Sequence, residues 1–93
     1  MNDDGRLPSD VIREQLARQV LRSRRMAVAL AEAHERVALT EEETAETYET
    51  LAARGGPHRQ RFRGKAEAAR KAAATAHTCA IWAYWIADRA PDL

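Results

Sequence analysis

The 93-residue sequence predicts an all-α protein folded as a long antiparallel helical hairpin, and three observations carry that reading. Alanine dominates the composition, and β-branched and aromatic residues are sparse outside the last quarter, a mixture that favours helix. Glycine and proline are almost confined to the two ends and one interior spot, Gly55-Gly56-Pro57. On either side of that spot, apolar residues recur at the 3- and 4-residue spacing of a helix face.

Residues 1–8 carry no apolar periodicity and are expected to be disordered. Ser9 is the expected N-cap of the first helix, with Asp10 and Glu14 placed at the positive end of its dipole. From there to residue 54 no glycine or proline intervenes, so one helix of about 65 to 70 Å is allowed. Whether the run from Arg22 to Arg25 interrupts it is left open by the sequence. The spacing marks a heptad seam through Leu16, Ser23, Leu30, Val37, Thr44 and Leu51, interleaved with Val20, Ala27, His34, Glu41 and Tyr48.

Gly55 is suited to a left-handed C-terminal cap and Pro57 to the first position of the next helix. A connection this short makes the second helix, residues 57–90, run antiparallel, with Pro91 ending it and residues 91–93 as a tail. Its seam is Phe62, Ala66, Ala69, Ala73, Ala76, Ala80, Ala83 and Ala87, small residues that let two backbones approach closely. Gly64 is a weak spot near its start. Folding about the glycines brings together residues whose numbers add to about 111, so His77 is expected to meet His34, and helix 1 to overhang by about 12 residues.

That overhang carries Val11, Ile12, Leu16 and, at its edge, Val20, while Ile81, Trp82, Tyr84, Trp85 and Ile86 surround the far end of helix 2 on more than one face. One neighbouring helix cannot cover them all. Pairing of two hairpins into a homodimeric four-helix bundle buries this surplus, with Val11, Ile12, Leu16, Val20, Ile81, Trp82, Trp85 and Ile86 as the expected interface.

The balance of 15 Lys and Arg against 14 Asp and Glu gives no net field toward nucleic acid or anionic lipid. The N-terminus is polar and no stretch has the roughly 20 uninterrupted apolar residues of a membrane span. Cys79 is the only cysteine, which excludes an intrachain disulfide and fits a reducing, cytoplasmic compartment.

Four local features carry candidate chemistry. Arg54, His58, Arg59, Arg61, Arg63 and Lys65 cluster about the turn with Tyr48 and Phe62 nearby, the ingredients of phosphate neutralisation and base stacking; the register also sets them against Glu41, Glu42, Glu43, Glu46 and Glu49 as interhelical pairs. Arg18, Arg22 and Arg25 form a second basic stripe able to hold an anion or an acidic partner. His34 and His77, with Cys79, Glu32 and Glu35 near, offer metal-ligand types without HExxH, a repeated ExxH or CxxC spacing, so no metal or other cofactor is assigned. Thr40, Thr44, Thr47 and Thr50 form a hydroxyl stripe that either lines a polar site or bonds back to the preceding turn. No nucleophile, base and acid arrangement or phosphate-binding loop is present in the sequence, and an enzyme is not expected.

The stretch from Ala33 to about Ala74 resembles small, alanine- and arginine-rich helical proteins and segments of actinobacteria, in which a His-Glu-Arg helix runs into a glycine-containing turn and an Arg-Ala-rich helix. His34, Glu35, Arg36 and the turn match; a second His-Glu of that pattern is replaced by Tyr48 and Glu49. The resemblance implies the hairpin and a high-GC bacterial source, and no activity. Taken together, the sequence favours a non-enzymatic interaction module, homodimeric and regulating or scaffolding another protein. A bundle binding a small ligand or metal, and an accessory nucleic-acid binder, stand as the alternatives.

Overall fold

The computed structural model describes Gly5 and residues 7–89; the expected disorder over 1–4 and 6 and the expected tail lie outside the described residues. Two helices make up the fold, α1 (Pro8–Ala53) and α2 (Arg59–Arg89). α1 begins one residue earlier than expected. Leu7 is its N-cap and Pro8 takes the first turn, where a missing N–H costs nothing and the fixed φ is already helical; Ser9 therefore lies inside the helix and does not cap it. Asp10 stands in that first turn, as expected, and the helix runs unbroken through Arg22–Arg25.

Gly55 and Gly56 adopt φ of 77° and 95°, the left-handed region that reverses the chain. Gly55 N–H donates to the Ala52 carbonyl at 3.0 Å. Pro57 and His58 remain in the turn, so α2 starts two residues later than the sequence suggested, and Gly64 is carried within it. Among the described residues no helix is long and apolar enough to cross a membrane.

The core is made of alanine. Ala31, Ala38, Ala45 and Ala52 of α1 are buried at strict seven-residue spacing against Ala66, Ala69, Ala73, Ala76, Ala80 and Ala83 of α2. Among the described residues no large side chain is fully buried. The expected α2 seam is present, as is the α1 track of Val20, Ala27, His34, Glu41 and Tyr48, which is half-buried throughout. The other α1 track is displaced by one position: Leu16, Leu30 and Val37 are exposed, and Ala17, Arg24, Ala31, Ala38, Ala45 and Ala52 occupy the seam. Alanine wins that place because close approach to the alanine face of α2 leaves no room for leucine.

In heptad notation, Ala31, Ala38, Ala45 and Ala52 are a positions and Tyr48 is a d; in α2, Ala66, Ala73 and Ala80 are a, and Ala69, Ala76 and Ala83 are d. Pairing a with d across an antiparallel seam puts the buried Ala45 level with Ala69 and Ala31 with Ala83, numbers that add to about 114 where folding about the glycines suggested about 111. Near the turn, the Tyr48 and Phe62 rings stack at 6.0 Å. The level of Arg89 then lies near Arg25, and α1 overhangs α2 by about 17 residues, some 25 Å. The molecule measures 78 × 20 × 12 Å.

A hairpin with two unlike faces

Antiparallel helices meeting through a and d place both e positions on one face of the pair and both g positions on the other. The e face is closed by polar partners at heptad spacing. Arg70 donates from Nε and Nη2 to the two carboxylate oxygens of Glu49, each at 3.0 Å. One heptad along, His77 Nε2 and Glu42 Oε1 are 2.8 Å apart. One heptad further, Tyr84 lies beside Glu35. Bonding to Arg70 holds the Glu49 carboxyl below the usual carboxylate range. The Tyr84 phenol is pushed up by loss of solvent first, then by Glu35 and Glu32.

This ladder corrects the expected histidine pairing: His77 meets Glu42 and not His34. Among the described residues no group of three or more His, Cys, Asp or Glu side chains is placed to hold a metal. Arg70, which sequence reasoning did not single out, is drawn into the acidic run while itself exposed, and Arg54, Arg59, Arg61 and Arg63 are exposed around the turn. The nearby rings are occupied by one another: Tyr48 stacks on Phe62, and Lys65 Nζ sits 5.7 Å over the Tyr48 ring.

The g face, extended by the adjoining c positions, is the reverse. On α1 it carries Ile12, Leu16, Met26, Leu30 and Val37, then Thr40, Thr44 and Thr47; on α2, Ala68, Ala72, Thr75, Cys79, Trp82 and Ile86. Seven of the twelve exposed large hydrophobic residues, from Ile12 to Ile86, fall on these two positions of seven, so they form a stripe and not a scatter. The displaced track Leu16-Leu30-Val37 is therefore a second seam. Thr40, Thr44 and Thr47 donate their hydroxyls to Arg36, Thr40 and Glu43 carbonyls at 2.9 to 3.0 Å, and Thr50 does the same to Glu46. With the hydroxyls satisfied within α1, this part of the face can be covered without stranding a donor.

Of the residues expected at an interface, Ile12, Leu16, Trp82 and Ile86 lie on this stripe and are exposed. Val20 is half-buried at d, and Val11 is half-buried on the outer side. Ile81 and Trp85 are exposed off the stripe; Trp85 packs edge-on against Trp82 at 5.5 Å and lies under Arg89 at 4.5 Å. Arg18, Arg22 and Arg25 are exposed on the outside of the overhang. Cys79 is a half-buried free thiol on the stripe. Comparison with protein-family models, characterised proteins and solved structures gives no match to this chain.

Proposed function

We propose that this hairpin is a non-enzymatic interaction module that acts as a homodimeric helical bundle, regulating or scaffolding another protein. The observation that carries the reading is surplus surface. A compact chain of 10.4 kDa exposes about 5,400 Å², whereas this one exposes 7249 Å². The excess is about 1,800 Å² per chain, about twice the roughly 800 Å² that each partner buries in a standard interface and within the range of obligate homodimers. The radius of gyration, 22.6 Å, is likewise far above the roughly 12 Å of a compact chain this long. A single layer 12 Å thick with an alanine interior has no second layer to bury its leucines and tryptophans.

Light scattering coupled to gel filtration tests this directly. The expected mass is twice the 10.4 kDa of the chain; a stable 10.4 kDa species at micromolar concentration sinks the proposal.

A second reading, accessory binding of nucleic acid, is favoured by Arg54, Arg59, Arg61 and Arg63 being exposed and outside the ion-pair ladder. Its mark is anisotropy of a labelled oligonucleotide that falls steeply with salt; no change at low salt removes it.

A further inference from the structure

We infer that the second copy docks on the g face with its turn at the opposite end, so that the overhang of each α1 lies along the turn-proximal half of its partner's α1. The inference rests on the self-association proposed above. It commits the apolar stripe to one occupant, the N-terminal arm of another copy of this chain.

Three features select this arrangement over one with both turns at the same end. The first is length. α1 spans 46 residues against 31 for α2, and a two-fold axis through the middle of α1, beside Leu30 and Ala31, pairs the two α1 helices over their full length. Trp82 and Ile86 of both copies then meet near the axis, and each overhang covers the turn-proximal half of its partner. With the turns together, the overhangs have only each other to cover them.

The second is size. The stripe carries large residues toward the open end, with Ile12 and Leu16 on the overhang, and a small-residue stretch at Thr44, Thr47, Ala68 and Ala72, ahead of Leu51, Arg61 and Lys65 at the turn itself. Antiparallel docking lays the large residues of one copy on the small residues of the other, the alternation that lets layers interdigitate. Turns at the same end set the overhang's large residues against themselves.

The third is charge. Residues 8–25 hold five arginines against Asp10 and Glu14, net +3; residues 36–53 hold Arg36 against Glu41, Glu42, Glu43, Glu46 and Glu49, net −4. The proposed axis brings the first segment over the second; Arg18, Arg22 and Arg25 stand on the outside of the overhang and Glu42 and Glu49 on the e face, so the attraction acts between whole segments and not through contact pairs. At the tip, Asp10 arrives level with Arg61 and Lys65 of the other copy, which stand at the turn end of the stripe. Turns at the same end place the +3 overhang beside its own copy, a like-charge contact that costs affinity and orientation.

Spin-label distances decide between the arrangements. Thr50 is exposed on the outer side of α1 near the turn, so Thr50→Cys in a Cys79→Ser background gives one label per chain, with the label off both seams and only the near-isosteric serine on the stripe. Electron double resonance on the labelled full chain should read about 60 Å, twice the axial distance of Thr50 from the middle of α1. A distance under about 35 Å, the width of a bundle with its labels, leaves the dimer standing and overturns the arrangement. No dipolar coupling, with a 10.4 kDa mass by light scattering, overturns both.

Discussion

The Arg70 guanidinium and the Glu49 carboxylate meet side-on through two parallel hydrogen bonds of 3.0 Å, the geometry that gives an exposed ion pair directional content. This pair and the Glu42–His77 contact one heptad away are what the hairpin has in place of a shaped core.

Acid should weaken the first of these. The folded-state pKa of Glu49 is depressed through Arg70, so its contribution is present at neutral pH and is lost as pH falls through the folded value, below the ordinary carboxylate range. Thermal melts of the wild type and Glu49→Gln, compared from neutral pH to about pH 3, should differ most at neutrality and converge toward the acid end. A difference that stays constant with pH shows the pair contributes nothing.

Overfilling the alanine seam should be costly. Ala73 is buried between the helices and Ala74, its neighbour, is exposed. Ala73→Leu is expected to lower stability by about 1–3 kcal/mol, with Ala74→Leu within about 0.5 kcal/mol of wild type. Urea unfolding followed by circular dichroism reads both, and equal effects contradict a tightly closed seam.

The glycines should split by role. Gly56 sits at φ 95° and Gly64 is helical, with open space where a Cβ would go. Gly56→Ala should cost about 1–2 kcal/mol through left-handed strain, and Gly64→Ala should stabilise by about 0.5–1 kcal/mol. Melting temperatures moving in the same direction for both variants contradict this account of the turn.

The two tryptophans should also separate. Trp82 lies on the apolar stripe and Trp85 beside it under Arg89. Trp82→Ala should raise the dimer dissociation constant at least tenfold, about 1.4 kcal/mol, and Trp85→Ala by less than about threefold. Sedimentation equilibrium measures both; a reversed order moves the interface off the stripe.

The helices, the turn and the α2 seam were legible because glycine placement and alanine spacing have one helical interpretation. The phase of the α1 seam was not. Leu16, Leu30 and Val37 mark a heptad track by their bulk, but α1 has apolar residues on two adjacent tracks, and the one that α2 accepts is the smaller. The histidine pairing failed for a related reason. Side chains slant toward the N-terminus of their own helix, away from the turn in α1 and toward it in α2, so the tips that meet belong to an α1 residue nearer the turn and an α2 residue further from it than a count of backbone levels suggests. Glu42 and Arg70 come into play by that slant, and His34 drops out.

An interior built from one repeated methyl group is degenerate: sliding α2 along α1 by a heptad replaces alanine with alanine at most layers. What tells one alignment from the next lies on the outside, in the Glu42 and Glu49 ladder and the two turn glycines. In this chain the information that specifies the fold resides in solvent-facing positions, where substitutions elsewhere are usually silent, and the buried positions demand only smallness.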